Sequence, residues 1–134
     1  MLIELPEERR ISVGKLGMPT FRRGFYAYAG SALNGLESRL ARHLRRNKKF
    51  HWHIDYLLKE ASIREIVFSD NGKRDECLFA HALCREFSPI PGFGCSDCKC
   101  ISHLFYGSEK EELRKGIIKA VEQSDVAYGI IQAV

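Results

Sequence analysis

A run of alternating aromatic and small residues, Phe25-Tyr26-Ala27-Tyr28-Ala29, ends in Gly30 and leads almost at once into Asn34-Gly35-Leu36-Glu37. Alternation of this kind specifies a strand whose side chains divide between two faces. Asn followed three residues later by Glu specifies a helix N-terminus. A strand feeding directly into a capped helix leaves the rest of the chain few ways to fold around it. Tyr26 and Tyr28 are two apart and therefore share a face. Two placements fit them: core residues with hydroxyls at the rim, or rings held over a site.

Other segments build on that unit. Leu2–Leu5 and Ile11–Leu16 read as strands before it and Ile63–Ser69 as one after it, with Pro6–Arg9 a turn and Gly17–Gly24 a loop. Short connections between successive strands favour antiparallel pairing. The capped helix runs from Asn34 to Arg46; further helices are expected at His51–Ala61, Lys73–Phe87 and Ser108–Glu122, and a closing strand at Tyr128–Val134. His103–Tyr106 fits a short strand, and Pro89–Cys100 is irregular. The expectation is an α/β fold of the α+β type. A small, mainly antiparallel, three-stranded central sheet is flanked by helices and followed by a Cys/His segment and a C-terminal helix. At 134 residues the chain reads as one domain, 1–134, with enough length for a core of its own.

Composition narrows the function classes. No apolar run approaches the roughly 20 residues that span a bilayer. Glu4, Glu7 and Glu8 replace the apolar stretch of a secretory signal, so a cytoplasmic, reducing setting without membrane partners is expected. Five cysteines, an odd number, point to metal binding or thiols before a disulfide framework. Charge is uneven: residues 1–60 hold 12 Lys/Arg against 6 Asp/Glu, and residues 61–134 hold 9 against 11. The positive half contains the capped helix. There Leu36, Leu40 and Leu44 form one stripe, with Arg39, Arg42 and Arg46 opposite and His43 at the border. With Arg45, Lys48 and Lys49 this face makes either a nucleic-acid footprint or a solvated surface.

Several residues carry possible chemistry. Arg39 and His43, at i and i+4, are neighbours on one helix face, and an arginine fork suits phosphate. Glu76 is centred on an apolar stripe formed by Phe79, Ala80, Leu83 and Phe87. It either meets a cation, a metal or an arginine, or turns outward in the first turn, where the helix dipole favours it. Cys95, Cys98, Cys100 and His103 give C-x2-C-x-C-x2-H, four zinc-capable side chains in nine residues. Its alternatives are a set of reduced thiols beside a core or active-site histidine, or a disulfide. His51-Trp52-His53-Ile54-Asp55 adds a His/Asp cluster, in which His53 is either reactive or satisfied by Asp55 or backbone. Walker, GxGxxG, G-x-S-x-G and H-E-x-x-H motifs are absent.

Tyr28-Ala29-Gly30, Arg39, His43 and Glu76 follow in an order and spacing that resembles the GIY-YIG nuclease superfamily. The Uri-type endonuclease branch is similar over longer stretches: Tyr28 to Leu33, Arg39 to Leu44, His51 to Leu57, Glu76-Cys77, Pro91-Gly92-Phe93-Gly94, Ser96 to Cys100 and Ser102 to Tyr106. The resemblance spans nearly the whole chain. It implies an active site on a sheet face, with Tyr28 at the second tyrosine position and Arg39 as the family arginine. Glu76 would be the carboxylate for one magnesium or manganese ion, and His43 would lie one turn beyond the arginine. It departs at one point: the family's opening Gly-x-Tyr has no counterpart in Met1-Leu2-Ile3-Glu4-Leu5. Tyr26, on the face of Tyr28, is the residue that can stand in.

The implied function is a metal-dependent endonuclease hydrolysing phosphodiester bonds in DNA, in repair or processing. Tyr28, with His43 or His53, would orient or deprotonate water. A non-catalytic nucleic-acid-binding module with a structural Cys/His metal site is the alternative, and an RNA substrate is a third reading.

Overall fold

The computed structural model describes residues 1–29, 53–69, 76–94, 100–123 and 128–132. Along the chain run β1 (Leu2–Leu5), β2 (Arg9–Arg10), β3 (Thr20–Phe21), β4 (Gly24–Tyr28), α1 (His53–Leu58), β5 (Ser62–Ser69), α2 (Glu76–Cys84), β6 (Ser88–Pro89), β7 (Leu104–Gly107), α3 (Lys110–Gln123) and β8 (Tyr128–Gln132). β2 and β3 pair as a small hairpin, and the others form one sheet in the order β6-β7-β4-β1-β5-β8. Every pairing in it is antiparallel.

The mixed class and the antiparallel sheet agree with expectation, but the sheet has six strands rather than three. β7 joins because its residues stand opposite β4, with Tyr28 facing Leu104. β8 joins by pairing along β5 at the far edge. Partners lie 76 to 82 residues apart in the first pairing and 59 to 67 in the second, outside the reach of local patterning.

Alternation along the strands builds two cores. Ile3, Leu5, Tyr26 and Leu104 point to one side and pack with Ile11, Val13, Phe21, Ile54, Leu57 and Phe93. Leu2, Ala27 and Phe105 point to the other and pack with Ala80, Leu83, Leu113, Ile117 and Ala120. α1 covers the first face, and α2 and α3 the second. Tyr26 and Tyr28 do share a face, with Tyr28 packed at the margin of the first core.

One expected strand is replaced. Over Ile11–Leu16 the chain makes a 3-10 turn at Gly14–Leu16, with Gly14 at φ 49° and Gly17 at φ 94°. Positive φ at two glycines ends the extended conformation. Ile11 and Val13 remain buried, because their N–H groups donate to Pro19 and Gly17 carbonyls. The loop expected at Gly17–Gly24 contains β3, and Arg9, placed in a turn, opens β2. The helix expected at Lys73–Phe87 is described over Glu76–Cys84; beyond it, Glu86 and Phe87 N–H groups return to the Leu83 carbonyl. The helix expected from Asn34 lies outside the described residues.

A charged clamp holds α3 to the sheet. Glu65, on β5, is 4% exposed, and both its carboxylate oxygens lie 3.0 Å from Arg114 Nε. Removing one member of a buried pair strands the other charge, at a cost of about 3–5 kcal/mol. Arg114→Met is therefore expected to lower unfolding stability by about 3 kcal/mol. Adding Glu65→Leu should recover most of that loss, as chemical denaturation of the single and double variants can measure.

Candidate functional site

The segment Pro91-Gly92-Phe93-Gly94 is a tight turn pinned by backbone. Gly92 N–H donates to the Ile101 carbonyl at 2.8 Å, and His103 N–H donates to the Phe93 carbonyl at 2.8 Å. Gly92 at φ 80° and Gly94 at φ 72° turn the chain back on itself, a conformation that side chains with a Cβ resist. Phe93 is thereby driven into the first core with no exposed surface. Its ring meets Phe21, Tyr28 and His53 edge-on at centroid distances of 6.1, 6.2 and 5.5 Å.

Gly94 is where the candidate residues meet. Its N–H donates to His53 Nδ1 at 2.9 Å. A Cβ placed on it would lie 3.3 Å from Tyr28 Cε1 and 3.2 Å from His103 Cβ. Tyr28 arrives from the end of β4, His53 from the start of α1, and His103 from the approach to β7. The His103 carbonyl accepts from Ala29 N–H at 2.9 Å, which ties the last two residues of the β4 run to the same place.

The hydrogen bond at His53 decides its chemistry. A ring nitrogen that accepts from an amide carries no proton, so neutral His53 keeps its proton on Nε2. With Nδ1 accepting from Gly94, the ring offers Nε2–H as a hydrogen-bond donor and has no free nitrogen to accept a proton. Partial burial pushes its pKa below the ordinary 6.5, because the charged form is disfavoured away from water. The expectation that His53 is satisfied by backbone is met by Gly94, from across the fold.

Tyr26 sits elsewhere. It is fully buried, donates its hydroxyl to the Arg22 carbonyl at 2.6 Å and meets the Tyr106 ring at 5.2 Å. Burial raises its pKa, with the neighbouring Tyr106 adding to the effect. A phenol so placed is a poor stand-in for the family's first tyrosine; it packs in the core. Glu76 is the first residue of α2, and the apolar stripe that follows it packs as expected, with Ala80 and Leu83 buried in the second core. Arg39, Arg42, His43, Arg45, Arg46, Lys48 and Lys49, together with Cys95 and Cys98, lie outside the described residues.

Sequence reasoning missed Cys77. Its Sγ lies 3.8 Å from His103 Nε2, and the ligand atoms of Cys77, Cys100 and His103 all fall within 4.8 Å of one another. This group could hold a metal ion. Two of its members, Cys100 and His103, belong to the expected Cys/His segment; the third comes from α2, one residue after Glu76.

Residues 1–126 match the family described as Domain of unknown function DUF123. The chain belongs to that family. No curated protein and no solved structure matches significantly. DUF123 membership covers every described element except β8, so the Gly94 convergence and the Cys/Cys/His group both fall within the matched region. Among the described residues of this DUF123 chain no helix is long and apolar enough to cross a membrane.

His53 gives a pH signature. The unfolded chain takes up the imidazole proton near pH ~6.5, the folded chain only at lower pH. Below pH ~6.5 the unfolded state therefore binds more protons, and stability falls as pH drops until the folded group also protonates. An NMR titration of the His53 ring should give a midpoint below 6.5. In His53→Phe, the decline of stability across that window should flatten.

Proposed function

We propose that this DUF123 chain is a metal-dependent endonuclease that hydrolyses phosphodiester bonds in DNA, acting in repair or processing. The observation that carries the reading is the convergence of Tyr28, His53 and His103 on Gly94, with Cys77, the neighbour of Glu76, 3.8 Å from His103 Nε2. These residues come from five separate elements or turns; Tyr28 is one that the likeness to GIY-YIG nucleases picks out, and the others fall in the stretches similar to the Uri-type branch. The basic excess in residues 1–60 adds a phosphate-seeking surface.

Roles follow from chemistry. Arg39 forks onto a phosphate and stabilises its charge. Tyr28 orients the attacking water; to take its proton, a tyrosine of ordinary pKa near 10 needs cations beside it. His43 is the remaining candidate for that proton, since His53 offers Nε2–H as a donor instead. Glu76 would hold magnesium or manganese, because one carboxylate leaves most positions of a hard cation to water and phosphate oxygens. When bound, such an ion supplies positive charge to the scissile phosphate and the leaving oxygen. The Cys77, Cys100 and His103 group has softer donors and suits zinc, not magnesium or manganese.

That group also fits a second reading: a nucleic-acid-binding module with a structural zinc site and no cleavage. The two separate at Glu76. Glu76→Gln should abolish magnesium- or manganese-dependent cleavage of DNA and leave the melting temperature unchanged. Full cleavage by the purified variant would sink the nuclease assignment, and binding without cleavage in the wild type would favour the module. Under either reading Arg42→Ala and Arg46→Ala should each reduce the salt dependence of DNA binding by about one phosphate contact. A fluorescence anisotropy titration across salt concentrations measures it.

A further inference from the structure

Cys77 and His81 stand four residues apart on α2, one turn above each other on the same helix face. Cys100 and His103 stand three apart on the approach to β7. The fold lays the two pairs side by side. Cys77 Sγ is 3.8 Å from His103 Nε2, and Cys100 Sγ is 4.0 Å from His81 Nε2. Each contact crosses from helix to strand approach and joins a thiol to an imidazole.

The distances fit a shared ion. Zinc holds sulfur at about 2.3 Å and nitrogen at about 2.0–2.1 Å, which in a tetrahedron places S and N about 3.6 Å apart. The two observed separations exceed that by a few tenths of an ångström. The ligand atoms of Cys77, Cys100 and His103 lie within 4.8 Å of one another; His81 stands outside that group, 4.0 Å from Cys100 Sγ, and becomes a fourth ligand by rotation of its side chain. The donor set, two thiols and two imidazoles, matches zinc in structural sites and is too soft for magnesium or calcium.

We infer that Cys77, His81, Cys100 and His103 form a structural zinc site that clamps the first two turns of α2 to the approach of β7. His103 is buried, Cys77 and Cys100 are half-buried and His81 is exposed. Three ligands are thus presented by packed structure, and the exposed imidazole swings in to close the tetrahedron. Binding releases the two thiol protons, leaving two thiolates that balance the ion's charge. The clamp acts on the residue beside Glu76 and on the residue whose backbone binds Ala29 and Phe93. It therefore holds together the elements that meet at Gly94. This inference is independent of whether the chain cuts DNA.

The test is metal analysis of the full chain purified under reducing conditions without chelator. About one equivalent of zinc per chain is expected, and exchange for cobalt(II) should give tetrahedral ligand-field bands with thiolate charge transfer. Cys77→Ser and His81→Ala should each lower zinc occupancy and speed amide hydrogen exchange over residues 76–84. Because His81 is exposed, its variant should fold. Cys84→Ser, on the same helix but outside the group, should leave occupancy unchanged. Less than about a tenth of an equivalent of zinc, with no effect of chelator on melting, would overturn the site. So would full occupancy in Cys77→Ser or His81→Ala with loss in Cys95→Ser or Cys98→Ser, which would move the ligands to the cysteine-rich segment.

Discussion

The burial of a single ring, Phe93, holds the rest of the structure in place. Its side chain is fully buried between Phe21, Tyr28 and His53, while its carbonyl accepts from His103 N–H. A ring of that size removes a large apolar area from water. It does so in a turn whose two glycines carry positive φ. The hydrophobic gain fixes the turn, the turn aims the Gly94 N–H at His53, and the backbone bond to His103 sets where β7 begins. Sheet, helix and turn are brought into one arrangement by packing at that residue.

The sheet then acts as a partition. Tyr28 and His53 lie with the first core, and the helix that starts at Glu76 lies with the second. Among the described residues the two sides meet at the end of β4, where Ala29 N–H donates to the His103 carbonyl and Gly94 packs against Tyr28 and His103. A site there is reachable by side chains from both layers. Charge reinforces the second layer: the Glu65–Arg114 pair ties α3 across β5, where a carboxylate would otherwise be buried without a partner.

Short-range pattern made much of this legible. The strands at Leu2–Leu5 and Phe25–Ala29, the apolar stripe of α2 and the C-terminal helix all follow from periods of two and about 3.6, and each appears within a few residues of its expected position. Ile11–Leu16 misled, because its alternation is real but Gly14 and Gly17 bend it into a turn with the apolar residues still inside. Tyr26 and Tyr28 looked equivalent by spacing. One hydroxyl is committed to the Arg22 carbonyl in the core; the other ring stands at the core's margin beside Gly94. The nucleic-acid face proposed for the capped helix rests on sequence alone.

What the amino-acid order determined by itself was which residues are chemically able and which local element carries each one. Cys100 and His103 are close in the chain, so their pairing was visible there. Cys77 and His81 carry no such signal in the chain order, because what they face lies 19 to 26 residues away. That they face Cys100 and His103 depends on the path from α2 through β6 back to β7, and on Phe93 anchoring the turn between. Local preference fixes dihedral angles a few residues at a time. Contacts across more than twenty residues are decided by which apolar faces can be buried together, and only the folded chain resolves that.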